Sequence, residues 1–144
     1  MISWIEYYKI MLALTGYREA RGEGYQGMLA VMCVIRNRVT AQMGDWDHVI
    51  TKKWQFSSLT APGDSQLVIW PDSPDAVFEA AMGLAEQVFN GTIEDITRDA
   101  LFYFNPAITP ASSSFWKHIA NNPMYELSAQ IGPHHFFAPR KQHD

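Results

Sequence analysis

Very little in this chain can staple it covalently or charge it strongly. A single cysteine in 144 residues excludes an intramolecular disulfide. Cys33 sits in the apolar run from Met28 to Ile35, so it reads as a small buried hydrophobe and leaves the redox compartment undecided. Charged residues are 18% of the chain, below the roughly 25% of an average globular domain. Eleven Lys and Arg against fifteen Asp and Glu give a formal charge of −4, which argues against a partner held by phosphate neutralisation, so no nucleic acid is expected. No apolar run approaches the ~18 residues of a bilayer span, and no membrane insertion is expected. The first nine residues mix acid and base without a basic-then-apolar order, so no secretory signal is read there. The five histidines, at 48, 118, 134, 135 and 143, lack ligand spacing, and neither a metal nor a cofactor is expected. A G-x-S-x-G nucleophile turn and a Lys-Ser/Thr phosphate loop are also missing.

Aromatic residues are plentiful, with five Trp, six Tyr and eight Phe. The length fits one domain, 1–144, able to bury about two-thirds of its unfolded surface without disulfides or metals. Residues 4–19 carry Ile5, Tyr8, Leu12 and Thr15 at steps of three and four, with Trp4 and Met11 flanking. This pattern predicts an amphipathic helix whose apolar stripe ends on Glu19. Gly22, Gly24 and Gly27 are expected to break it. The nearly continuous apolar run from Tyr25 to Met43 predicts a buried central helix stopped at Gly44. Asp45 is placed as cap of a short helix over 46–53, and a loop at 54–58 and irregular chain over 60–72 follow. Ser73 as N-cap, Pro74 at the first helical position and Gly91 past the end bracket a further helix. The aromatic run 101–104 is too short to type, and Ser112 to Ser114 precede a brief helix to about Ala120. Tyr125, Leu127, Ala129 and Ile131 alternate with polar residues, and Gly132-Pro133 turns the chain into 134–137. That pattern predicts a small C-terminal hairpin with one buried face, packed on the helices. The expected class is α+β, mainly α.

The sharpest chemical feature is Glu19-Ala-Arg-Gly-Glu23. Glu19 continues an apolar stripe, where desolvation favours the neutral carboxyl that a general acid needs, and the adjoining glycines let a ligand approach the backbone. Glu23 lies between two glycines, so its direction is not set by Glu19. It is read either as a supporting carboxylate or as the partner of Arg21, Arg36 or Arg38. One of His134 and His135 must face inward, because adjacent strand residues point to opposite faces. Trp4, Tyr8 and Phe78 are assigned to core faces. Tyr25, Trp54, Phe56, Tyr103 and Phe104 are assigned to a cleft, where rings interleaved with Asn, Gln and Ser suit stacking on sugars.

The run Tyr17-Arg-Glu-Ala-Arg-Gly-Glu-Gly-Tyr-Gln-Gly-Met-Leu-Ala-Val-Met-Cys-Val-Ile-Arg-Asn-Arg-Val39 resembles the signature of the SleB-type cell-wall hydrolases, the spore-cortex-lytic enzymes, which have relatives in bacteriophage. Gln55-Phe-Ser57, Ala100-Leu-Phe-Tyr-Phe-Asn-Pro106 and Ile131-Gly-Pro-His134 follow in the family's order; Pro133 stands where Asn is expected. The resemblance implies a lysozyme-like, lytic-transglycosylase-like fold acting on the glycan strands of peptidoglycan. It puts the essential acid on Glu19, and substrate contacts on Gln55, Phe56, Ser57, Tyr103, Asn105 and His134. With one supported carboxylate, lytic transglycosylation between N-acetylmuramic acid and N-acetylglucosamine is the economical chemistry. A muramidase pairing Glu19 with Glu23, Asp45 or Asp64 is the alternative, and a non-catalytic glycan-binding module the third reading. A monomer is expected, made in the cytoplasm and acting on the bacterial wall through a membrane lesion or from a virion, without a separate wall-binding module.

Overall fold

The computed structural model describes residues 3–42, 44–51 and 75–141. Helix α1, Trp4–Ala20, starts at a capping box: the Ser3 hydroxyl accepts the Glu6 N–H at 3.1 Å, and the Ser3 N–H donates to Glu6 Oε2 at 3.3 Å. Only the second half of the predicted stripe reaches the core. Leu12 and Thr15 are fully buried, whereas Trp4 is 73% exposed, correcting its assignment to the core. The rings of Trp4, Tyr7 and Tyr8 pack on one another instead, with centroids 5.7–6.2 Å apart.

A single 3-10 turn, Arg21–Glu23, leads into α2, Gly24–Ala41. Gly24 makes the corner at φ 76° and ψ −165°, a backbone conformation essentially confined to glycine. Gly27 does not break the helix; it lies inside α2, buried. Helix α2 is buried without interruption from Gly27 to Ile35, as a helix apolar on all sides must be. Met28, Leu29, Val31, Met32 and Ile35 pack with Leu12, Tyr17, Leu84 and Val88, while Ala30 and Val34 face Ala100 and Phe136. Cys33 is buried among them, and desolvation pushes its thiol up to about 12.

Asp45 caps α3, Trp46–Thr51, accepting the His48 N–H at 2.9 Å. Helix α4 spans Ala76–Asn90, and its N-cap is Asp75, not Ser73: Asp75 Oδ1 accepts the Phe78 N–H at 3.0 Å. Ser73 and Pro74 lie outside the described residues. Gly91 ends α4 in the left-handed region, where a Cβ would stand 2.7 Å from the Arg36 guanidinium.

The expected two-stranded hairpin is a three-stranded antiparallel sheet. Strands β1 (Phe102–Phe104), β2 (Tyr125–Ile131) and β3 (His134–Pro139) lie in the order β1-β3-β2. The aromatic run is thus an edge strand, too short to carry a period of its own and defined by pairing Phe102, Tyr103 and Phe104 with Phe137, Phe136 and His135. In β2 the register shifts between Leu127 and Ala129, so the simple alternation fails and Leu127 is exposed. Ser128, in the irregularity, donates its hydroxyl to Thr97 O at 2.7 Å. One sheet face, with Tyr103, Ala129 and Phe136, covers α2. The other packs Phe104 and Phe137 on Ile119 and Trp116 of a π-helical turn, Trp116–Ala120. Phe104, assigned above to the cleft, is therefore core.

The connection from α4 to β1 is tied to α2 by side chains. Asn37 Nδ2 donates to Asp95 Oδ2 at 2.8 Å and to Ala100 O at 3.0 Å. Asp95 also accepts from the Thr97 hydroxyl at 2.6 Å and the Asp99 N–H at 3.0 Å. Partial burial opposes ionisation of Asp95, but the donors from Thr97, Asn37 and Asp99 outweigh it and hold the carboxyl below its ordinary value. Arg38 Nε donates to Leu101 O, and its guanidinium lies 5.2 Å from the centre of the Phe102 ring. Consecutive residues of α2 therefore hold the strand that carries Tyr103. Asn37→Ala is expected to lower the unfolding free energy by about 1–3 kcal/mol, because a charged acceptor and a carbonyl both lose their donor; urea denaturation measures it.

Candidate active site

Glu19 is the penultimate residue of α1 and is half-buried. Residues on either side of it fasten the end of α1 to the start of α4. The Tyr17 hydroxyl donates to Asp75 Oδ2 at 2.9 Å, its ring meets Phe78 edge-on at 5.5 Å, and the Arg21 guanidinium lies 5.1 Å from its centroid. The Phe78 N–H and then the Tyr17 hydroxyl hold the Asp75 carboxyl below the usual range. Asp75 thus caps one helix and anchors another.

Glu23 comes next, at the end of the 3-10 turn. A Cβ at Gly27 would lie 2.6 Å from Glu23 Cβ and 3.2 Å from its Oε2, so the side chain lies directly over the bare backbone of α2. That course takes it to the start of β3, where its Oε2 stands 3.1 Å from His134 Nδ1. The carboxylate thus meets an imidazole, and the arginine partners anticipated from sequence are corrected: the corner at Gly24 turns Glu23 towards the sheet. His134 is the inward-facing member of the His134-His135 pair.

Tyr103 completes the group. Its ring stacks on Phe136 at 5.5 Å and meets His134 edge-on at 5.3 Å. Burial raises its phenol far above the ordinary tyrosine value, the nearby Glu19 and Glu23 carboxylates add to this, and Arg38 opposes it. These surroundings favour the neutral phenol. Arg38, itself lowered to about 10 by burial, remains a cation.

Four of the predicted residues, Glu19, Glu23, Tyr103 and His134, therefore share one electrostatic neighbourhood contributed by α1, the 3-10 turn, β1 and β3. Asn105, just past β1, uses its side chain locally: Oδ1 accepts the Ala107 N–H at 2.9 Å, and its carbonyl accepts the Thr109 hydroxyl at 2.6 Å. Gln55, Phe56 and Ser57, with Trp54 and Asp64, lie outside the described residues. Tyr25 is exposed on the first turn of α2. Sequence reasoning missed the anchors Tyr17, Asn37 and Asp75 and the role of Gly27. All but Asp75 lie in the 17–39 run.

The profile of the cell wall hydrolase family matches residues 22–137, most of the chain. The chain belongs to the cell wall hydrolase family. Glu19 lies three residues before the matched span, and Glu23, Tyr103 and His134 lie within it. Among curated relatives, the spore cortex-lytic enzyme of Oceanobacillus iheyensis is 35% identical over 126 residues, 88% of this chain and 40% of that protein. The Bacillus subtilis spore cortex-lytic enzyme is 33% identical over 106 residues, 74% of this chain and 32% of that protein. The chain thus spans well under half the length of these relatives. Among solved structures, the catalytic domain of the germination-specific lytic transglycosylase SleB from Bacillus anthracis superposes with a TM-score of 0.67 at 31% identity, covering 94% of this chain and 95% of that one. The catalytic domain of the Bacillus cereus SleB protein gives 0.64 at 32% identity, covering 90% and 89%. The mainly helical fold with a small sheet is that of the SleB catalytic domains.

The Asp75 anchor has a pH signature. A carboxyl depressed in the folded state adds stability that is present above its unfolded pKa, about 3.9 for Asp, and lost as pH falls through the folded value. Asn also caps helices well. Asp75→Asn should therefore lie below wild type in Tm at neutral pH, with the difference shrinking towards zero in acid, as followed by circular-dichroism melts.

Proposed function

We propose that this cell wall hydrolase is a peptidoglycan lytic transglycosylase that uses Glu19 as its one proton-transferring carboxylate. The glycan strand enters beside Glu19, Tyr103 and His134. Glu19 protonates the oxygen joining C1 of N-acetylmuramic acid to N-acetylglucosamine, and the C1–O bond breaks through an oxocarbenium-like state. Glu19, now ionised, takes the proton of the muramoyl C6 hydroxyl as that oxygen bonds to C1. The products are a chain with a new N-acetylglucosamine hydroxyl and a 1,6-anhydromuramoyl end. One proton has moved from the C6 oxygen to the leaving oxygen, and no water is consumed. Tyr103, whose surroundings favour the neutral phenol, is suited to donate to a sugar oxygen or acetamido carbonyl, and Asn105, Gln55, Phe56 and Ser57 are proposed as further contacts. A monomer acting on the bacterial wall is proposed with it.

The observation that carries it is the occupation of Glu23 by His134 at 3.1 Å. A two-carboxylate muramidase needs a second acid to activate water or to form a glycosyl intermediate. Among the described candidates, Glu23 is engaged with an imidazole and Asp45 with the cap of α3; Asp64 lies outside the described residues. The likeness to SleB lytic transglycosylase supports the same reading.

Digestion of purified peptidoglycan followed by mass spectrometry tests it. Muramoyl ends one water lighter than reducing ends are expected; reducing ends would make the enzyme a hydrolase. Glu19→Gln should lower the rate by about 10²–10⁴-fold at least, with the melting curve retained. Undiminished clearing by that variant would favour a glycan-binding module.

A further inference from the structure

The contact between Glu23 and His134 is built from four places in the chain. The Gly24 corner aims Glu23, Gly27 gives it passage, the Gly132-Pro133 turn starts β3 at His134, and Tyr103 closes on the imidazole edge-on at 5.3 Å. Across the sheet, β2 brings the apolar Ile131 opposite His134. Glu23 and Tyr103 face the imidazole, and Glu19 and Arg38 act on Tyr103. Side-chain exposure is 19% for His134 and 27% for Glu23, so the pair is sheltered yet open enough for the imidazole to meet a ligand. A purely structural surface ion pair contributes little and would not require a glycine at the start of the helix that Glu23 caps.

We propose that Glu23 is a positioning residue that acts through His134. Its carboxylate accepts the Nδ1 proton, which fixes the ring's orientation and tautomer and leaves Nε2 as the imidazole atom for the glycan. Glu23 then neither protonates the glycosidic oxygen nor attacks the sugar. Neutral His134 presents an acceptor to a sugar hydroxyl, and protonated His134 presents a donor to an acetamido or lactyl carbonyl. The pair rests on the glycan-cleaving reading above and extends it by assigning a substrate contact and its support.

Three variants and two readouts test this. His134→Ala should lower kcat/KM on soluble peptidoglycan fragments by about ten- to a hundred-fold, the range for a hydrogen bond involving a charged group. Glu23→Ala should match it, and the double variant should be no worse than either single one. Glu23→Gln keeps an acceptor for Nδ1–H and should retain most of the activity. Gly27→Ala alters no titratable group but pushes Glu23 off its course, so it should mimic Glu23→Ala. The second readout is the imidazole ¹⁵N chemical shift with the ring neutral. In wild type and Glu23→Gln it should report the proton on Nδ1, and in Glu23→Ala and Gly27→Ala a mixture of tautomers. This signal needs only folded protein.

Glu23→Gln as inactive as Glu19→Gln would make Glu23 a catalytic carboxylate and overturn the proposal. Additive losses in the double variant, or wild-type activity for His134→Ala, would also overturn it; with anhydro ends still on the products, these two results leave Glu19 as the one proton-transferring carboxylate and only the positioning role fails. Reducing ends in wild-type digests would instead overturn the transglycosylase reading, whatever His134 does.

Discussion

Helix α2 is the constraint on which the rest of the molecule depends. It is apolar on all sides over Gly27–Ile35, so it must be enclosed, and no single layer of helices can do that. Helices α1 and α4 cover one side and the sheet covers the other, with Ala30 and Val34 admitting Phe136 at close range. The site lies where these two coverings meet. Glu19 comes from the helical side and Tyr103 and His134 from the sheet, so the relative placement of the layers sets the distances between them. Both coverings are also pinned by polar contacts. Tyr17 and Asp75 hold α1 to α4, and Asn37 and Arg38 of α2 hold the chain entering β1.

The polar groups divide according to burial. Asp95, although partly buried, stays ionised because several donors converge on it, and it organises a loop whose Arg98 and Asp99 adopt positive φ of 56° and 69°. Such backbone persists only where its surroundings over-determine it. Tyr103 is held protonated by burial and by neighbouring carboxylates. One environment therefore favours a charged carboxylate and another a neutral phenol.

The elements with long periodic patterns were legible in the sequence. The first helix, the buried second helix and the Gly91 stop of α4 follow from spacing, glycine chemistry and the end of an apolar run. The Glu19 to Glu23 segment stood out because an acid continued an apolar stripe beside glycines. Three features were not legible. A three-residue edge strand has no period, so β1 exists only through its pairing with β3. At the irregularity in β2 the Ser128 hydroxyl reaches Thr97, a contact 31 residues away in sequence. Trp4 looked like core because a helical stripe says which residues share a face, but not how far along the helix the neighbours extend.

Sequence alone determined that this chain would fold around a nearly all-apolar helix, without disulfides, and would present an acid at the end of the helix before it. Those conclusions rest on local geometry and composition, which need no knowledge of distant residues. The partner of Glu23 was decided only by tertiary structure. Spacing offered three arginines close in the chain, yet the carboxylate meets His134, 111 positions away, at 3.1 Å. The Gly24 corner sends the side chain across α2, and only Gly27 lets it pass. A direction set by one glycine and a clearance set by another become an interaction only when the sheet is packed against the helix.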